Sequence, residues 1–373
     1  MLKFISIKNF KAFESQQFHL SNLNVIAGVN GVGKSSFIQS LLLLRQSFDK
    51  NVLQDGLLLN GDYAKIGVGS DAFAYGVNGS NISFIVRWDE LPNKNVFSFK
   101  YEDSSDFLIS SDKYDTYDTN ILSTLSLFNN HLRYLSADRE GPKDSYDCSN
   151  YHVQRLNSVG IRGEYVPHFL HNNPGMLLSS EKLKHPVAID MTLSSNINAW
   201  LSDISPNLKV DAVKDVRTNK AVLNYYVDFN QGNESTNNIK PKNVGFGISV
   251  ALPVITVLLS SKPNDLIIIE NPEAHLHPYA QSTIGRLCAA AASNGAQVIL
   301  ETHSDHIFNG IRVAIKQGVI KNDLTSVFYL ERDRDGNKCF SSLTKAEIDS
   351  EGRLSHWPKG FMDQWDNDLD ALL

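Results

Sequence analysis

The run Gly28-Val29-Asn30-Gly31-Val32-Gly33-Lys34-Ser35 constrains this chain more than any other segment. It follows the apolar stretch Leu23-Asn24-Val25-Ile26-Ala27 and precedes Ser36-Phe37-Ile38-Gln39-Ser40-Leu41-Leu42-Leu43-Leu44. A buried strand, a glycine turn and a helix start in that order make the GxxxxGKS pattern a phosphate-binding loop rather than a chance glycine run. The glycines let backbone N–H groups close round phosphate oxygens, and the helix N-terminus adds partial positive charge. Lys34 then reaches the β- and γ-phosphates of a nucleoside triphosphate, and Ser35 is placed to ligate Mg²⁺.

The rest of the composition sets bounds. A chain of 373 residues with 42% apolar content has enough material for one large or two intimately packed domains. A net charge of −6, with acids and bases interspersed, advertises no global field for nucleic acid, so any DNA contact has to be a local patch. Cys148, Cys288 and Cys339 are odd in number and far apart, which argues against a disulfide framework or a CxxC metal site and fits a reducing cytoplasm. Val250 to Leu259 is interrupted by Pro253 and is too short to span a bilayer, and the N-terminus lacks a signal-peptide pattern. A cytoplasmic protein with no membrane partner is expected.

Periodicity places the motifs on elements. Leu2 to Ile7, Ile82 to Trp88, Val96 to Tyr101 and His131 to Leu135 read as strands, giving an antiparallel first lobe. Asp144 to Asn207 is more polar, with Ile197 to Leu201 as one face of a short helix, and is expected to be a helical insertion. Ala221 to Phe229 reads as a strand and Gln231 to Asn238 as a loop. Strands at Leu266–Ile269, Gln297–Leu300 and Ser326–Leu330 then alternate with helices at Tyr279–Ala292 and Ser304–Lys316, the pattern of βα units. No internal repeat or sustained heptad pattern is present, so long coiled-coil arms are excluded.

Three motifs follow the phosphate loop in a fixed order. Asn243-Val244-Gly245-Phe246-Gly247-Ile248-Ser249 is a glycine turn opening an apolar helix. Leu266-Ile267-Ile268-Ile269-Glu270-Asn271-Pro272-Glu273 is a hydrophobic strand ending in acids, and Glu301-Thr302-His303-Ser304 ends a further strand. This set resembles the ATP-binding-cassette (ABC) type of ATPase head: phosphate loop, signature turn, Walker B strand and switch histidine. Asn271-Pro272-Glu273-Ala274-His275-Leu276-His277-Pro278 with Glu301 to Asp305 resembles the overcoming-lysogenization-defect (OLD) ATPases. The tail Trp357 to Asp363 is similar to that of stand-alone bacterial AAA/OLD-like ATPases whose C-terminal domain has no assigned function and no nuclease.

The resemblance implies an α/β, ABC-type P-loop ATPase head with an antiparallel β first lobe, a helical insertion and a C-terminal βα lobe. Its expected segments are 1–140, 141–215, 216–335 and a small C-terminal 336–373. It implies that Gly28, Asn30, Gly31, Val32, Gly33, Lys34, Ser35 and Ser36 cradle ATP, and that Ser35 and Glu270 hold Mg²⁺. His303 would sense the γ-phosphate, and Gly245, Gly247 and Ser249 would meet the γ-phosphate of a second subunit. ATP would thus join two copies head to tail.

One position departs from the pattern. The general base of such heads normally follows the Mg²⁺-orienting acid, and here that place is Asn271, whose amide can orient water but cannot take its proton. Either Glu273 substitutes or hydrolysis is slow. Of the remaining candidates, His275 and His277 have no third histidine or cysteine nearby for zinc. Asp333-Arg334-Asp335, followed by Gly336-Asn337, reads as a hairpin rather than a nuclease pair. Arg139 could reach nucleotide or a partner, or be a surface salt-bridging arginine. Lys8, Lys11, Arg45 and Lys65 are the candidates for a DNA-facing patch.

The implied function is an ATPase acting as sensor and gate in bacterial anti-phage defence or a DNA transaction, as a homodimer or higher oligomer with a separate effector, a nuclease or toxin. DNA is a candidate partner. The alternatives are a DNA-repair loading ATPase stimulated by DNA and a non-hydrolysing, ATP-dependent scaffold that restrains an effector.

Overall fold

The computed structural model describes residues 1–91, 93–111, 118–228, 236–335, 338–355 and 364–372. The early strands are β1 (Leu2–Phe10), β2 (Phe13–His19), β3 (Leu23–Gly28), β4 (Gly56–Leu58), β5 (Asn81–Trp88), β6 (Asn95–Lys100) and β7 (Phe107–Ile109). They are followed by β8 (Leu132–Leu135), β9 (Tyr146–Asp147), β10 (Leu208–Asp215) and β11 (Lys220–Val227). The last are β12 (Leu266–Glu270), β13 (Gln297–Glu301), β14 (Thr325–Asp335) and β15 (Lys338–Ala346). The first helices are α1 (Lys34–Asp49), α2 (Gly69–Ala72), α3 (Thr119–Leu122), α4 (Val166–Asn172) and α5 (Leu193–Ile204). After them come α6 (Phe246–Leu259), α7 (Pro278–Ser293), α8 (Asp305–Lys316) and α9 (Gln364–Leu372).

The chain divides into two compact units. The first comprises Met1–Leu132, Thr325–Glu347 and Leu354–Leu373. Here β2, β1, β5 and β6 form an antiparallel sheet in that order, and β4 pairs with β7. Strict alternation along β5 puts Ile82, Phe84, Val86 and Trp88 in the core and Ser83, Ile85 and Arg87 on the other, less buried face. β3 is buried on both faces and lies parallel to β14, with Leu23 opposite Thr325 and Gly28 opposite Leu330. Phe18 bridges this layer, its ring 4.4 Å from Phe37 of α1 and 5.5 Å from Phe328 of β14. Three phenylalanines buried together are worth about 1.5–3 kcal/mol each, which anchors the helix that follows the phosphate loop.

The second unit comprises Arg133–Leu324 and Ile348–Arg353. β12 and β13 run parallel from Leu266 opposite Gln297 to Glu270 opposite Glu301, and β8 follows β12 in the strand order. The helices α7 and α8 carry the chain out of β12 and β13, as the alternation of apolar strand and amphipathic helix requires. α6 is buried along almost its whole length and keeps Pro253 in its interior. Among the described residues no helix is long and apolar enough to cross a membrane.

Two segments hold more strand than their sequence suggests. The segment after Asp144 does hold short helices, α4 and α5 among them, but it also contains β10, which pairs antiparallel with β11 in a sheet ordered β10-β11-β9. Leu208, Val210 and Ala212 face the core there, yet the small alanine and the charges between them mute the alternation in the sequence. The C-terminal stretch likewise holds β15, antiparallel to β14 up to the pair Asp335–Lys338, so Asp333 and Asp335 lie on a hairpin strand. Gly336-Asn337, Phe229, Gln231 to Ser235 and the tail Trp357 to Asp363 lie outside the described residues.

Candidate functional site

In the first unit β3 delivers the chain into the phosphate loop and α1 takes it out. Gly33 is the cap of α1 and sits at φ 95°, where a side chain is strained. A Cβ there would also stand 2.7 Å from Cβ of Ala12, so only glycine closes this turn. Lys34 is buried, and its Nζ donates to the carbonyls of Gly28 and Val29 at 2.8 Å each, which curls the ammonium inside the loop. Asn30, Gly31 and Ser35 are exposed, while Val32 and Ser36 are buried. Two residues that the sequence did not single out also hold the loop. Arg332 Nη2 donates to the Gly31 carbonyl at 3.0 Å, and Ser341 Oγ donates to the Val32 carbonyl at 2.6 Å.

In the second unit the strand ends of β12 and β13 bring Glu270, Asn271, Glu273, Thr302 and His303 together. Glu270 Oε1 accepts from the Tyr134 hydroxyl at 2.9 Å. Burial pushes the Glu270 carboxyl above its usual range, opposed by the Tyr134 hydroxyl, the Ala137 N–H and the charge of Arg139. Burial also pushes the Tyr134 phenol strongly upward, reinforced by Glu270, so this hydroxyl stays a donor.

Arg139 is neither a surface salt bridge nor an exposed arm. It is buried, and its Nη1 donates to the carbonyls of Glu270 at 2.6 Å and Ser136 at 3.0 Å, while Nη2 donates to the carbonyl of Asn271. The planar guanidinium fork suits two successive carbonyls, and the charges of Glu273 and Glu270 oppose the cost of burying it. Held this way, Asn271 takes φ 44°, a left-handed conformation that asparagine tolerates better than most residues, and its N–H donates to the Glu301 carbonyl at 2.9 Å.

Both oxygens of Glu273 are engaged. Oε2 accepts from Thr302 Oγ1 at 2.8 Å and Oε1 from the His303 N–H at 2.7 Å. Glu273 therefore braces the turn that presents His303, whose side chain is exposed. Ser304 next caps α8, its Oγ accepting from the Ile307 N–H at 3.0 Å.

The signature turn lies in the same unit. Gly245 is the exposed cap of α6, and a Cβ on Gly247 would be 2.3 Å from the His275 carbonyl, so the turn packs backbone against backbone. Both glycines, with His275 and His277, line a cavity of about 370 Å³. Ser249 is buried one turn into α6 beside Tyr225, while Gly245 and Phe246 at the start of the helix are exposed. The two histidines have structural partners: His275 packs edge-on to Phe246 at 4.7 Å, and His277 Nδ1 accepts from the Tyr279 N–H at 3.3 Å to cap α7.

The basic patch loses a member. Arg45 is buried, with Nε on Asp49 at 2.8 Å and Nη1 on the carbonyls of Leu127 and Asn129 at 3.0 and 2.7 Å. Lys11 is half-buried and donates to Gln39 Oε1 at 2.9 Å, and only Lys8 and Lys65 are exposed.

Residues 23–309 match the family described as "AAA domain, putative AbiEii toxin, Type IV TA system". The chain belongs to this AAA-domain family. Residues 320–372 of this AAA-domain protein match a second family, described as a protein of unknown function (DUF3696). Among solved structures it is similar to the SmcHead bound to the C-winged helix domain of ScpA, at 12% identity and TM-score 0.54, covering 93% of this chain and 98% of that one. It is also similar to the Smc head domain with an extended coiled coil bound to the C-terminal domain of ScpA from Pyrococcus furiosus, at 10% identity and TM-score 0.52, covering 100% and 99%. No curated protein matches the chain. The fold is that of an ABC-type P-loop ATPase head.

Proposed function

We propose that this AAA-domain protein binds Mg²⁺-ATP at its phosphate loop, turns it over slowly, and joins a second copy of itself head to tail on the nucleotide. The observation that carries this is Lys34, buried inside a glycine loop at the N-terminus of a 16-residue helix. Ser35 and Glu270 hold Mg²⁺, His303 senses the γ-phosphate, and Gly245 and Gly247 meet the γ-phosphate held by the other copy. The commitment of both Glu273 oxygens to Thr302 and His303 favours slow turnover over Glu273 acting as base. Titration of the purified protein with Mg²⁺-ATP, followed by phosphate release, is expected to give binding with a turnover below about 1 s⁻¹, the low end for enzymes. Absence of binding would overturn the reading.

Removing the brace separates its role from that of a base. Glu273→Ala frees the Thr302–His303 turn and is expected to lower turnover about tenfold while ATP affinity changes by less than about threefold, as for an interaction that matters in the transition state. Unchanged turnover would mean that the brace does not position His303.

On the wider role, the family description names a toxin, and the sequence resembles the OLD class. Both support a gate that restrains or releases a separate effector in bacterial anti-phage defence. Asn271 also favours a second reading, a scaffold that uses ATP without hydrolysing it. Tight nucleotide retention with no phosphate release, with or without DNA, would select that reading.

A further inference from the structure

We infer that the C-terminal hairpin β14–β15 sets the phosphate-binding geometry of the loop, with Ser341 and Arg332 as positioning residues. The inference rests on the ATP reading above and gives a task to part of the segment that matches only a family of unknown function. Arg332 and Ser341 are direct cross-strand partners in the hairpin, so their side chains leave the same face. They grip successive carbonyls of the loop, Arg332 that of Gly31 and Ser341 that of Val32. Ser341 is itself buried and fixed by its own N–H, which donates to the Ala12 carbonyl at 2.9 Å.

Peptide geometry turns this grip into ligand orientation. None of the described peptide bonds is cis, and in a trans peptide the C=O of one residue and the N–H of the next point in opposite directions. Holding the Gly31 carbonyl from the hairpin side therefore aims the Val32 N–H away from the hairpin, and holding the Val32 carbonyl aims the Gly33 N–H likewise. Two consecutive N–H donors are thereby pre-set for one anion, the arrangement that a phosphate nest needs. The parallel pairing of β14 with β3 up to Leu330–Gly28 keeps the hairpin in register with the loop.

The test is a calorimetric titration of Mg²⁺-ATP into the wild type, Ser341→Ala, Arg332→Ala, Val327→Ala and Lys34→Ala, with the melting temperature of each nucleotide-free protein. Loss of one buried hydrogen bond that orients the loop is expected to weaken ATP binding of Ser341→Ala about tenfold, and loss of the exposed Arg332 bond about threefold. Val327 is buried in the hairpin core opposite Ala346, near the start of β14 and away from the Arg332–Ser341 pair, and Val327→Ala is expected to lower the melting temperature while affinity stays within about twofold. Wild-type affinity in Ser341→Ala would overturn the inference, as would an equal loss in Val327→Ala, which would make the effect one of general stability. Should Ser341→Ala not fold, unchanged affinity in Arg332→Ala overturns it. Equal affinity of the wild type and Lys34→Ala would overturn the ATP reading and this inference with it.

Discussion

Lys34→Ala is expected to abolish ATP binding, with affinity falling at least about 100-fold because a charge-assisted contact to the triphosphate is lost. The Lys34 side chain is buried within the loop it follows, and its Nζ donates to the Gly28 and Val29 carbonyls. Those carbonyls keep access to solvent through the exposed Val29-Asn30-Gly31 stretch, so the variant should fold. Calorimetry with Mg²⁺-ATP and a melting curve decide the matter. Unaltered affinity in a folded variant would mean that the phosphate site is elsewhere.

Glu270→Gln is expected to lower turnover about 100-fold or more while ATP affinity changes by less than about threefold, the signature of a group that acts on the reaction more than on binding. Glutamine keeps the shape and can still accept from the Tyr134 hydroxyl, but it carries no charge for Mg²⁺. The melting temperature should stay close to that of the wild type, since the neutral amide escapes the cost of burying a carboxylate but no longer offsets the burial of Arg139. Parallel measurement of phosphate release and ATP binding separates the two effects. A turnover equal to that of the wild type would remove Glu270 from the proposed metal site.

The elements that the sequence made legible are those whose signal is local. The β3–loop–α1 unit is spelled out by its glycines and lysine, and β12, β13, α7 and α8 follow from unbroken apolar runs and helical periodicity. β10 and β15 were harder: Lys338-Cys339-Phe340-Ser341-Ser342-Leu343-Thr344-Lys345-Ala346 is half polar, and its pairing to β14 is what makes it a strand. The supports of the site were hidden for a different reason. Arg139, Ser341 and Arg332 act on backbone carbonyls, which every residue possesses, and the Ser341 contact spans 309 positions of sequence. Burial decided the cases that residue type could not. Nothing in the sequence marks Arg45 and Arg139 as buried, yet each is enclosed, Arg45 held by Asp49 and two carbonyls and Arg139 by carbonyls.

The central claim is that two copies clamp nucleotide between them. Light scattering of Glu270→Gln, which should retain ATP without consuming it, measures this most directly. The account predicts a monomer mass without nucleotide and twice that mass with Mg²⁺-ATP, reverting when Lys34→Ala is added. A mass that does not change while calorimetry shows ATP bound would contradict it.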